Sequence, residues 1–282
     1  MTTASALPLA VTTFVMSTVL ASGLELTTGD LVKSLRRRRE VLAALAASFG
    51  AAPALAWALA HAPGMTTPSS QGLLILGAAG GAPFLPVLAR LAKVDEPLSV
   101  GLMVLLVAAT ILFMPLVLPL LIPAADVTAW MLARPLLVNM AAPLAAGVLV
   151  RRCWPRLAGR LAPPTRLISG LTLVATVTLV FVRMGRSLLA LTGAAAPAGV
   201  AFVVGTTAVG LLLGGPGAGS RVVQGLAAGT RNAAAALAVA ASSFEDRGVL
   251  LVIVLVTLLT LVLLVPAALL WGRRLPPAGT AP

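Results

Sequence analysis

Charge is scarce in this chain. Of its 282 residues only 10% are Asp, Glu, Lys or Arg, where soluble domains carry roughly 25%. Hydrophobic residues make up 59% and the mean hydropathy is +1.05. No polar stretch is long enough for a separate soluble domain, so residues 1–282 read as one membrane domain. There is a single cysteine, Cys153, which excludes an internal disulfide, and a single histidine, His61. No Cys/His cluster is available for a metal. An intramembrane enzyme would need a nucleophile–base pair or a metal set at depth, and the chain has neither. His61 stands beside Pro63-Gly64 at the end of an apolar run and reads as an interfacial residue. Acidic residues number only eight, and all fall in loops or at segment ends: Glu25, Asp30, Glu40, Asp95, Glu96, Asp126, Glu245 and Asp246. No carboxylate is left at mid-membrane, where cation and proton coupling commonly needs one. The net charge of +12 does not indicate nucleic acid, because the basic residues sit in short loops between apolar runs.

Apolar runs of about 20 residues mark spanning helices. Nine are legible: A (7–24), B (41–61), C (71–91), D (98–122), E (127–150), F (167–182), G (195–213), H (222–244) and I (249–271). Segment A ends in Ala21-Ser22-Gly23 like a secretory signal, but no basic residue precedes it, so it reads as a true helix. Most of the 20 basic residues fall on one side: Lys33 and Arg36 to Arg39, Arg90 and Lys93, Arg151 to Arg166, Arg221, and Arg273-Arg274. The other side has Arg183, Arg186 and Arg247. The positive-inside rule puts the first group in the cytoplasm, the N-terminus outside, and residues 272–282 as a short cytoplasmic tail. The expected location is the inner (plasma) membrane of a bacterium.

Two segments are interrupted at their midpoints. C contains Gly77-Ala78-Ala79-Gly80-Gly81-Ala82-Pro83-Phe84-Leu85-Pro86, and H contains Gly229-Thr230-Arg231-Asn232. Glycines and prolines free backbone groups from the helical ladder, and at bilayer depth this is tolerated where the backbone lines a protein-enclosed cavity. A central arginine costs roughly 2.5–3.5 kcal/mol on insertion scales and needs a partner, a cavity or water. Arg231 and Asn232 are therefore the sharpest site candidates, with carbonyls of the broken segment C as the structural partners expected for Arg231. Thr230 is a weaker neighbour, since threonine in a membrane helix usually bonds its own backbone. Ser48 on B and Asn139 near the middle of E are further polar candidates, and Arg134 lies close enough to a segment end to snorkel. C and H run in opposite directions, five segments apart. If A–D (about 7–122) and F–I (about 167–271) are inverted repeats with E (about 127–150) linking them, the two breaks meet near mid-membrane, an arrangement from which secondary transporters build binding sites.

These residues carry a family likeness. The chain resembles the bile acid:sodium symporter family in Gly23-Leu24-Glu25-Leu26 with Asp30-Leu31 before a basic loop. Further likeness lies in Gly72 to Gly77 followed by Gly80-Gly81, in Pro115-Leu116-Val117-Leu118-Pro119, and in Gly229-Thr230-Arg231-Asn232. The resemblance implies an all-α polytopic fold of two inverted repeats, in a form with nine transmembrane helices. It implies a core domain with two crossing broken helices beside a panel domain, and sodium as the coupling ion. The ion-site positions that it carries over are degenerate here. The first site's Ser-Asn pair matches Phe84 and Leu85, the second site's Glu and Gln match Ala227 and Arg231, a further Gln matches Ser48, and only Asn232 is kept, next to Thr230. Most of the oxygens that a sodium ion needs are gone. The sequence thus points to a secondary transporter of a small or amphipathic organic anion, working by alternating access and without a cofactor, in which the missing ligands put sodium coupling in doubt. Gly80, Gly81, Phe84, Asn139, Arg231 and Asn232 are its expected substrate-site residues. A sodium-independent or proton-linked exporter or exchanger, and a sensor or scaffold that no longer transports, are the alternatives.

Overall fold

A computed structural model describes residues 6–26, 29, 36–122, 128–190 and 193–274. Asp30, Lys33, Asp126 and residues 275–282 lie outside the described residues, as do the side chains of Arg183 and Arg186. Every regular element described is helical. The helices are α1 (Ala6–Glu25), α2 (Arg38–Ala60), α3 (Thr67–Ala78), α4 (Leu85–Leu91), α5 (Glu96–Leu121) and α6 (Ala129–Cys153). They continue with α7 (Pro155–Ala190), α8 (Ala195–Leu213), α9 (Ala218–Gly229), α10 (Ala233–Ser243) and α11 (Arg247–Arg274). Five are long and apolar enough to cross a membrane: α2, α5, α6, α8 and α11. Their outward faces carry Leu112, Leu116, Leu120, Trp130, Leu212 and Val262, all exposed. Large apolar side chains facing outward along whole helices are what a lipid surface requires.

Both midpoint interruptions are breaks in the helical backbone. Segment C is α3 and α4 separated by residues 79–84, and segment H is α9 and α10 separated by 230–232. At 1.5 Å per residue the 12-residue helices α3 and α9 each reach about 18 Å, little more than half of an apolar core about 30 Å thick. Gly81 is the pivot of the first break. Its φ is +75°, and a Cβ there would collide with the backbone of Leu106 and Val107 on α5.

The region between segments E and F differs from the sequence expectation. The arginine-rich stretch read as a loop is helical, and a single residue outside helix, Trp154, separates α6 from the 36-residue α7. The reason is an amphipathic first part. Ala158 and Ala162, four residues apart, are buried against Leu24 of α1, while Arg156 and Arg160 are exposed. His61 is exposed, its Nδ1 lies 2.8 Å from the Trp57 carbonyl oxygen, and its ring packs on Trp57.

Helices α1, α6 and α7 pack together and also on the rest of the fold, α6 on α5 and α10, α1 on α10, and α7 on α11. Elsewhere α2 packs on α3, α8 on α9, and α11 on both α3 and α8. α1 and α6 approach closely at Gly23 and Gly147. A Cβ on Gly23 would stand 2.7 Å from the Leu144 oxygen, and one on Gly147 2.7 Å from the Leu20 oxygen. Such small-residue contacts let membrane helices pack backbone to backbone. Gly147→Leu should force α1 from α6 and lower the detergent-solubilised melting temperature by several degrees, from an overpacking cost of about 1–3 kcal/mol or more. An unchanged melt would show that this contact does not hold the two helices together.

Candidate functional site

The site is built where the two breaks meet. α3 stops at Ala78, and the last carbonyls of a helix have no donor within it. Arg231, in the second break, supplies donors to two of them: Nε donates to the Leu76 oxygen at 3.0 Å and Nη2 to the Gly77 oxygen at 2.6 Å. A helix C-terminus carries partial negative charge, so a cation belongs there. Nη2 also donates to the Ser48 oxygen at 3.1 Å. That carbonyl is free for a local reason. α2 contains a π-turn over Ala46–Ala51, after which the Ala52 N–H donates to Ala47 instead of Ser48. The next donor in the same register would be residue 53, a proline with no N–H. The π-turn and Pro53 together leave the Ser48 oxygen for the guanidinium.

Two further carbonyls of the first break are bonded across the fold. The Ala79 oxygen accepts from the Asn232 N–H at 2.9 Å, a direct backbone link between the two breaks. The Gly80 oxygen accepts from Thr110 Oγ1 on α5 at 2.9 Å. Asn232 caps α10, its Oδ1 accepting from the Ala235 N–H at 3.0 Å. Thr230 turns inward to its own helix and donates to the Leu226 oxygen. Ser48, Thr230, Arg231 and Asn232 are all buried.

Beside the crossing opens a cavity of about 770 Å³ between α1 and α7 on one side and α4, α10 and α11 on the other. Its floor includes Thr230 and Arg231. Its walls are mostly apolar, with Phe14, Leu76, Phe84, Met103, Val256 and Leu261 among them. Its charged lining is Arg90, Arg151, Arg166 and Arg231 against Glu25. Glu25 of α1 is ion-paired with Arg166 of α7. The volume falls in the range of about 300–1,000 Å³ typical of pockets for drug-sized ligands.

Of the residues singled out in the sequence, the structure brings Ser48, Gly80, Thr230, Arg231 and Asn232 together at the crossing. Phe84 lines the cavity and is partly exposed. Gly81 shapes the break from behind, against α5. Leu85 opens α4 and Ala227 lies on α9, both buried and outside the cavity lining. Asn139 is on a second π-turn, Leu137–Ala141 in α6, and is not among the residues lining this cavity. Sequence reasoning missed the Ser48 carbonyl, Thr110, and the group Glu25, Arg151 and Arg166. Only Pro53, five residues after Ser48, signalled the first of these.

A cation site fits these residues poorly. Phe84, Leu85 and Ala227 offer no side-chain oxygen, and the carbonyls of Leu76, Gly77 and Ser48 are taken by Arg231. Among the described residues no group of His, Cys, Asp or Glu is arranged to hold a metal ion.

Apolar helices long enough to cross a membrane, packed with two broken helices beside a cavity, mark a multi-pass membrane protein of transporter type. The model of the sodium bile acid symporter family matches residues 12–191, more than half of the chain, and the chain belongs to that family. No curated protein matches it significantly.

Proposed function

We propose that this protein is a secondary transporter of a small or amphipathic organic anion that works by alternating access and does not use sodium. In this reading the chain spans the bacterial inner membrane nine times, with the N-terminus outside and the C-terminus in the cytoplasm. α1–α5 and α7–α11 are inverted repeats joined by α6, each broken helix pair counting as one span. The set α1, α6 and α7 is the panel, and the remaining helices are the core that moves against it.

The observation that carries the reading is Arg231. Its guanidinium binds three backbone carbonyls at the crossing of the two breaks, as a sodium ion would bind oxygens there. A cation fixed on the chain keeps the crossing intact with no ion bound. The apolar cavity with arginines at its floor and sides suits an anion with an apolar body. Its charged groups Arg90, Arg151 and Arg166 belong to the basic clusters assigned to the cytoplasm, so the cavity would open inward.

Replacing sodium by choline should leave the uptake of organic anions into proteoliposomes unchanged, within about twofold. A steep dependence on sodium would overturn the reading. The missing mid-membrane carboxylates favour uncoupled or exchange operation over proton symport, and a proton gradient should likewise have little effect.

A further inference from the structure

The cavity beside the crossing has a neighbour. A second pocket of about 220 Å³ lies between α7, α10 and α11. Leu173, Ala233, Thr257 and Leu261 line both spaces, so the two meet at a shared neck. Along α7 the lining of the cavity ends at Leu173, and that of the pocket runs on from Leu173 to Thr178. Along α10 the cavity takes Ala233 and Ala234, and the pocket reaches on to Leu237. The pocket therefore follows the cavity along both helices, with Val254 and Leu258 of α11 closing it on the third side.

The two spaces differ in chemistry. Arg90, Arg151, Arg166, Arg231 and Glu25 line the cavity, and among the described residues none that lines the pocket is charged. The pocket has threonines, but two of their hydroxyls are spent inside their own helices. Thr176 donates to the Thr172 oxygen at 2.8 Å, and Thr257 donates to the Ile253 oxygen at 2.6 Å. A water molecule needs two to four polar partners, and cavities without them stay dry and take apolar guests. At about 30 Å³ for a water-sized group, the pocket has room for roughly seven such groups, methylenes included. A charged head in the cavity and an apolar tail through the neck would satisfy both spaces with one molecule.

We propose that the pocket beyond Leu173 and Leu261 is a subsite for the narrow, flexible apolar tail of an anion whose head stays in the arginine-lined cavity. This rests on the organic-anion reading and narrows it: the ligand is a single-tailed amphiphile, not a compact anion. Continuity with the cavity through four shared residues favours this occupant. Val174 at the edge of the pocket is 63% exposed, so an acyl chain of the bilayer is the rival occupant that the test must separate.

The test is thermal melting of the purified protein in sodium-free buffer at fixed detergent, titrated with choline butanoate, choline decanoate or neutral decan-1-ol. Decanoate should raise the melting temperature saturably, with a half-saturating concentration at least about tenfold below that of butanoate, the weight of about two buried methylenes. Leu258→Trp fills the pocket from α11. It should raise the decanoate value about tenfold and leave the butanoate value within about twofold. Partitioning of decanoate into detergent is the same for parent and variant and cancels in that ratio. Leu258→Phe, a smaller filler, should act in the same direction by less, and it carries the test where the tryptophan variant does not fold. Decanol should need at least about tenfold more than decanoate, because it brings no charge to the arginines. Equal responses to decanol and decanoate would assign the pocket to a lipid chain and overturn the proposal. So would a decanoate response unchanged in the Leu258 variants, one no tighter than that of butanoate, or none at all. Sodium-driven uptake would instead overturn the transport reading and leave these ratios untouched, so the two failures are distinguishable.

Discussion

Arg231→Met should prevent the protein from folding, or leave it with a melting temperature lower by more than about 10 °C. The substitution keeps a long side chain of similar reach and removes every donor. The oxygens of Gly77 and Ser48 then lose the partner that the structure gives them, and Leu76 keeps only its bond from the Ala79 N–H. Hydrogen bonds to charged groups contribute roughly 1.5–3 kcal/mol each, and an unsatisfied carbonyl in a water-free region costs several kcal/mol. Even allowing for non-additivity, the loss of three such bonds is on the order of 5 kcal/mol, and a chain of this size loses about 2–4 °C per kcal/mol. Arg231→Lys should fall between, since one ammonium cannot span the three carbonyls as a planar fork does. Size-exclusion profiles and melting of detergent-solubilised protein would read both. A normal profile and melt for Arg231→Met would mean that the three bonds hold nothing together.

Gly81→Val should be as damaging, for a different reason. The residue has φ +75°, a region that costs an L side chain about 1–2 kcal/mol and a β-branched one more. The added Cβ would also meet the backbone of Leu106 and Val107, which cannot rotate out of the way as a side-chain tip can. Either α5 retreats or the break rewinds, and both disturb Thr110, whose hydroxyl holds the Gly80 carbonyl. The expected result is little or no monodisperse protein. Gly50→Ala is the matched control: no atom lies within 4 Å of a Cβ built there, so its melt should stay within about 1 °C of the parent. Equal behaviour of the two variants would remove Gly81 as the pivot.

The places where the sequence was readable follow from chemistry that is local. Gly80-Gly81 with Pro83, and a lone arginine in an apolar run, each contradict a continuous membrane helix within a few residues, so both breaks were visible without knowing the fold. The carbonyl partners expected for Arg231 on segment C are the ones observed. The third partner was hidden because a π-turn leaves no mark in hydrophobic periodicity; only Pro53 betrays it, and prolines are common in this chain. The helical start of α7 was hidden because Arg156, Arg160 and the Pro163-Pro164 pair read as loop. The alanines between them show their burial only once α1 is beside them. The cavity could not be read at all, since Phe14, Phe84, Arg151 and Leu261 come from distant parts of the chain.

A cation that is part of the chain also changes the electrical accounting of transport. Sodium travels with its passenger and offsets the passenger's charge, whereas the guanidinium of Arg231 never leaves the protein. In the sodium-free reading each turnover that carries one monoanion alone therefore moves one negative charge across the membrane. An inside-negative potential of 100 mV drives that charge outward with about 2.3 kcal/mol. Voltage alone would make the protein an exit route for its anion, opposite in direction to what a sodium gradient provides, and a potassium diffusion potential of chosen sign across proteoliposomes should reverse the flux.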